Sequence, residues 1–222
     1  MDTRGSFQSV QQAFAQEHFV PDVLLPTSSL IFILESPHVQ ELKFGAPVCG
    51  ASGATMSKHL FGQQYAKFPL GRLVKTNAEE EKHRPRFDRI GLLNVSNVPL
   101  QAAAYLNKEL IRENSVWMQA MEHVRSSNQT TIFRDAAMNE VQEVLVDSLR
   151  QKLSLLSHRS CTIVPCGRFA QKFFHLANIQ SRYWNVIEGV PHPSYNSWDR
   201  AVYQDAINQV KEALDAGLLK EV

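Results

Sequence analysis

Two short segments, far apart in the chain, carry residues better suited to chemistry than to packing. Glu35-Ser36-Pro37-His38-Val39-Gln40-Glu41 directly follows the apolar run Leu30-Ile31-Phe32-Ile33-Leu34, and Gly189-Val190-Pro191-His192-Pro193-Ser194-Tyr195-Asn196-Ser197-Trp198 follows the weaker run Trp184-Asn185-Val186-Ile187. Glu35 comes straight after buried apolar residues, where full solvation of a carboxylate is hard to arrange; pairing with a surface lysine is the plainer alternative. Asn94, behind Ile90-Gly91-Leu92-Leu93, offers a donor and an acceptor on one side chain, although an amide there could simply cap a strand end. His192, set between two prolines, is either a structural histidine or a proton donor. A carboxylate, an amide and an imidazole meeting in one crevice could act on a polar ligand by acid–base chemistry. His38, Glu41 and His192 are also metal-ligand types, but His-x-x-Glu is short and common, so no metal is expected. Cys166 reads as a small core residue rather than a nucleophile. Gly-x-Ser-x-Gly, Walker A and Gly-x-Gly-x-x-Gly elements are absent.

The elements that must position these residues are legible in the hydropathy. Leu30–Leu34, Ile90–Val95, Cys161–Cys166 and Trp184–Ile187 are continuous rather than alternating, as in strands buried on both faces. Ala137, Val141, Val144, Leu145, Leu149, Leu153 and Leu156 fall at spacings of three and four, which predicts a helix with one apolar stripe. Val202, Ala206, Ile207, Val210, Ala213 and Leu214 predict another, and Gly167 to Ala177 a third. Strands alternating with helices argue for an α/β fold with a mainly parallel sheet, in which ligands bind beyond the carboxyl ends of the strands. Two stretches read as long loops: Cys49 to Ser57, rich in small residues, and Lys67 to Arg89, rich in charge. The second is either a solvated surface or a phosphate-contacting arm.

The chain has 222 residues, enough for one domain with a full core. Its formal net charge of +1 excludes a broadly cationic nucleic-acid coat but leaves room for a local basic groove. Three cysteines give no disulfide framework and fit a reducing, cytoplasmic setting. The polar start, Met1 to Ser6, has no apolar core of a signal peptide, and apolar runs such as Leu30 to Leu34 are far too short to span a membrane.

Taken in order, four segments resemble the uracil-DNA glycosylase superfamily. Leu34-Glu35-Ser36-Pro37-His38-Val39-Gln40-Glu41 looks like its first motif, in the version Gly-Glu-Ala-Pro-Gly-x-x-Glu. Leu92-Leu93-Asn94-Val95 is similar to its base-reading strand end. Pro165-Cys166-Gly167-Arg168-Phe169-Ala170-Gln171-Lys172 is similar to the strand-to-helix element Trp-Gly-x-x-Ala-x, and Val190-Pro191-His192-Pro193-Ser194 to the His-Pro-Ser motif. The chain departs from the pattern at Ser36, at His38 and at Tyr195-Asn196, where the family usually has Asp or Asn, a small or aromatic residue, and an apolar wedge. The Glu-Ser-Pro-His form is also similar to bacterial anti-phage glycosylases that remove glucosylated hydroxymethylcytosine from phage DNA. Three scattered cysteines cannot hold the iron–sulfur cluster found with some Glu-containing members.

The resemblance implies a single domain over residues 1–222, a three-layer αβα fold around a four-stranded sheet, and base excision from DNA without metal or organic cofactor. In that reading Glu35, helped by Glu41, stabilises the sugar cation and orients a water. His192 donates to the departing base. Ser36, His38, Asn94 and Ser52 bind the base. Ser194, Tyr195, Asn196, Ser197, Trp198 and Arg168 hold the DNA, with Tyr195, Asn196 or Trp198 filling the space the base leaves. The rivals are a strand-nicking enzyme with Lys43 or Lys58 as a Schiff-base former, a DNA-binding module without catalysis, and a small-molecule hydrolase.

Overall fold

The computed structural model describes residues 3–216. In chain order the elements are α1 (Thr3–His18), β1 (Leu30–Leu34), α2 (Val39–Phe44), α3 (Ala51–Phe61), α4 (Leu70–Glu79), α5 (Pro85–Asp88), β2 (Ile90–Asn94), α6 (Lys108–Glu113), α7 (Ser115–Ser126), α8 (Ala136–Leu156), β3 (Cys161–Pro165), α9 (Gly167–Ala177), β4 (Trp184–Val186) and α10 (Gln204–Ala216). The four strands form one sheet in the order β2-β1-β3-β4, every pairing parallel. Parallel neighbours need crossover connections, and these supply the helices on both faces.

Alternation along β1 divides the core in two. Ile31 and Ile33 join the cluster built with α1, α7, α8 and α9, whereas Leu30, Phe32 and Leu34 join the one built with α3, α4 and α10. All five β1 side chains are buried, which is why this strand reads as an unbroken apolar run. The result is the three-layer α/β arrangement that the sequence predicts. The predicted helices at Gly167–Ala177 and Ala137–Leu156 match α9 and α8. The last predicted helix starts later than its pattern, at Gln204, and Val202 is exposed.

Two expectations are corrected. The stretch Cys49–Ser57 is not a long loop, because α3 begins at Ala51. Nor is Lys67–Arg89, most of which forms α4 and α5. A glycine in each stretch is a close-packing point. A Cβ on Gly53 would lie 1.7 Å from the Val48 carbonyl oxygen, and one on Gly71 would lie 1.8 Å from that of Pro47. The charge run is the outer face of α4 and the turns beyond it: Leu70 and Val74 point into the core while Arg72, Glu79 and Glu80 are exposed. None of its residues lines the crevice described next, so it is no arm beside that site. Among the described residues, no helix is long and apolar enough to cross a membrane.

Candidate functional site

A crevice of about 790 Å³ opens at the carboxyl ends of the strands. It gathers Glu35, Ser36, His38 and Glu41 from the segment after β1, Ser52 from α3, Asn94 from β2, Arg168 from α9, and His192, Ser194, Tyr195 and Ser197 from the segment after β4. Asn196 and Trp198 do not line it.

Glu35 is placed by the end of the β1–β2 pairing. Its carbonyl accepts from the Ser96 amide at 3.1 Å, one step beyond the Val95–Leu34 bond. Its side chain pairs with Arg125 from α7, Nε to Oε1 at 2.5 Å. Glu41 is more deeply committed. Its Oε1 accepts from the Val48 amide at 2.5 Å and its Oε2 from the His38 amide at 2.6 Å. Burial pushes its carboxyl up to about 7 and the Glu35 charge adds to this, while the two amide donors oppose it. With both oxygens on the backbone, Glu41 braces the segment that carries Glu35 and His38.

Asn94 is wholly buried, at 0 % exposure. Its backbone is fixed on both sides: its amide donates to Asp22 Oδ1 at 2.9 Å, and its carbonyl accepts from Lys152 Nζ at 2.6 Å. Lys152 also reaches Asn97 Oδ1 at 2.6 Å and Asp22 at 2.9 Å. Burial lowers the lysine's pKa and the Asp22 charge opposes this. The Asn94 side-chain Nδ2 and Oδ1, in contrast, meet no hydrogen-bond partner among the described residues. A buried amide left so costs about 1–3 kcal/mol. The strand end is therefore fixed through its backbone, while its buried side-chain amide has unused hydrogen-bonding capacity. Lys152→Met is expected to cost about 3 kcal/mol, because it strands the mostly buried Asp22 carboxylate; a urea midpoint unchanged from wild type would show that the cluster does not hold β2.

His192 owes its position to three contacts. Gly167, at φ +85°, lies so close that a Cβ on it would be 2.7 Å from the His192 Cβ. The Trp198 indole donates to the Pro191 carbonyl at 3.0 Å, and the Ser197 hydroxyl donates to the His192 carbonyl. The ring is oriented by Ser194, whose Oγ lies 2.9 Å and whose amide lies 3.3 Å from Nδ1. A backbone N–H can only donate, so Nδ1 is an acceptor and the neutral ring carries its proton on Nε2. Burial pushes the imidazole's pKa down, Arg125 pushes it further and Glu35 opposes them. His192 is thus a neutral donor.

Trp198 is a correction. It is 0 % exposed and packs with Phe32 and His59, so it cannot insert into a DNA stack; the turn Ser197–Asp199 folds it under the loop. Ser197 is likewise buried and tied to the His192 carbonyl rather than free for a phosphate. Tyr195 is 90 % exposed, and both it and Asn196 adopt left-handed backbone, at φ 53° and 51°. Such conformations in non-glycine residues cost of order 1 kcal/mol each and cluster at functional sites. Cys166 lines the crevice, but burial pushes its thiol up, away from the thiolate.

The residues the sequence did not reveal are Arg125, Gln101, Asn128, Gln171, Arg200 and Tyr203. Lys43 and Lys58 lie outside the crevice, and Lys58 is paired with Asp199 at 2.5 Å. Among the described residues no group of three or more His, Cys, Asp or Glu side chains could hold a metal ion.

Fold and site together define an α/β protein with a polar crevice at the carboxyl end of a parallel sheet, built around a carboxylate, an amide and an imidazole. Comparison with protein-family models and with curated protein sequences finds no match.

Proposed function

We propose that the chain is a DNA glycosylase. It hydrolyses the N-glycosidic bond of an extruded modified pyrimidine, either uracil-like or hypermodified as in glucosylated phage DNA, and leaves an abasic site. The observation that carries this reading is the unpartnered Asn94 amide in the same crevice as Glu35 and His192. A donor–acceptor pair held on a rigid strand end suits the Watson–Crick edge of a base. Asn94 lines the crevice although its residue exposure is 0 %.

As the C1′–N bond breaks, its electron pair leaves with the base and positive charge builds on the sugar. The Glu35 carboxylate stabilises that charge and takes a proton from the water that adds to C1′. The His192 Nε2–H donates to the base as it becomes anionic; one such donor is typically worth about 3 kcal/mol. Tyr195, exposed at the rim, fills the space the base leaves. Arg168 and Arg200, both exposed, contact phosphates. Among the described residues no lysine lines the crevice, which favours simple hydrolysis over Schiff-base chemistry. Three free cysteines suit action in the cytoplasm.

The test is incubation with duplex and single-stranded DNA carrying uracil, hydroxymethyluracil, hydroxymethylcytosine or its glucosides, with mass spectrometry of the released base. Release of one modified base and an alkali-labile, unnicked strand is expected. Tight DNA binding with no base released from any substrate would replace this reading with a binding module, and no DNA binding at low salt would point to a small-molecule substrate.

A further inference from the structure

Arg125 has no part in the steps above, yet it lies in their midst. It sits in the last turn of α7, whose buried Met118, Met121 and Val124 seat the helix in the core shared with α8. That packing carries the guanidinium to a carboxylate 90 residues away in the chain. The pair is only partly open to solvent, 36 % on the arginine side and 20 % on the glutamate side. Arg168 and Arg200 also line the crevice, but they are exposed, and among the described residues no acidic side chain pairs with them. Arg125 therefore differs in kind from an arginine waiting for a phosphate.

We infer that Arg125 is a positioning residue that locks the Glu35 carboxylate in one orientation within the crevice. The inference rests on the proposed reaction for its kinetic readout only. A glutamate side chain left free samples several rotamers, and a charge-assisted N–H···O bond selects one of them. A carboxylate that must meet both a sugar carbon and a water gains most from such selection, since small misplacements of a reacting group cost about 10²-fold in rate. The same cation bears on His192. The charged and titratable groups sharing the crevice with that imidazole among the described residues are Glu35 after β1, Glu41 on α2, His38, Arg168 on α9, Arg125 on α7, Arg200, Cys166, Tyr195 and Tyr203. Of these, Glu35 favours the imidazolium and Arg125 opposes it. Arg125 thus opposes protonation of the ring.

The experiment compares Arg125→Met and Arg125→Lys with wild type in two ways. The first is kcat and KM for base release on the substrate found above. The second is the titration midpoint of His192 in the free protein, followed by NMR of the labelled imidazole. For Arg125→Met, kcat is expected to fall about 10²-fold with KM within about threefold. The His192 midpoint should move up, because a cation opposing protonation is gone while Glu35 remains. Arg125→Lys should restore the midpoint but not kcat, since an ammonium keeps the charge and loses the planar fork. A raised KM with unchanged kcat would overturn the inference and make Arg125 a phosphate contact; an unmoved His192 midpoint would overturn it as well. If wild type releases no base at all, the proposed reaction fails, yet the titration still decides whether Arg125 acts on this constellation. If Arg125→Met does not fold, Arg125→Lys carries the kinetic test.

Discussion

Glu35→Gln is expected to leave the fold and DNA binding intact and to slow base release by about 10²–10³-fold. The substitution is isosteric, so the crevice keeps its shape. The Glu35 backbone remains fixed by the Ser96 amide, which does not depend on the side chain. Arg125 loses an anionic partner but is exposed enough to be solvated in its place. What disappears is negative charge where positive charge develops on the sugar, and the site that accepts a proton from water. Single-turnover release of free base measures the first effect, and fluorescence anisotropy on the same DNA measures the second, binding. Release within threefold of wild type would remove Glu35 from the mechanism. Glu41→Gln should behave differently. Glu41 spends both oxygens on backbone amides, so its loss should appear first as a lower melting temperature, because a neutral amide offers only one acceptor where two are used.

β1, β2 and β3 were legible in the sequence because strands covered on both faces demand continuous apolar residues, and Leu30–Leu34 supplies them without interruption; β4 departs from that expectation, since it is an edge strand with Asn185 and Val186 exposed. The site followed from the strands, since Glu35, Asn94 and the Gly167-Arg168 step stand at or just beyond strand ends. The misread parts share one physical cause: tertiary contact overrides local composition. Gly53 and Gly71 lie in stretches that read as loops, yet a Cβ on either would collide with a neighbouring carbonyl oxygen. Trp198 looks like an insertion residue because it follows a polar, proline-bounded loop. Its burial against Phe32 depends on how that loop turns, which no local pattern states. Arg125 left no signal at all. A single arginine near the end of an amphipathic helix is ordinary, and only the packing of α7 on α8 shows which carboxylate it meets. For Asn94, the residue type and its place were readable, but the missing hydrogen-bond partners were not.

Asn94→Leu should move stability and activity in opposite directions, which separates a functional amide from a structural one. Leucine has nearly the same branching and size, so it fills the space without a large cavity. It also removes two buried polar atoms that meet no partner among the described residues. Relief of that penalty should raise unfolding free energy by about 1–3 kcal/mol. The backbone bonds to Asp22 and Lys152 involve only main-chain atoms of Asn94 and survive the change. Recognition has no such compensation. A base whose edge loses both a donor and an acceptor is left with unpaired polar groups of its own in a closed site, and discrimination of that kind reaches about 10⁴-fold. Urea unfolding and base release measured on the same preparation give the two numbers. A variant that is both less stable and less active would show that the amide serves the fold, and a more stable variant with full activity would show that it reads nothing. A gain in one with a collapse in the other is the signature of a polar group kept at a cost to stability for the sake of a ligand.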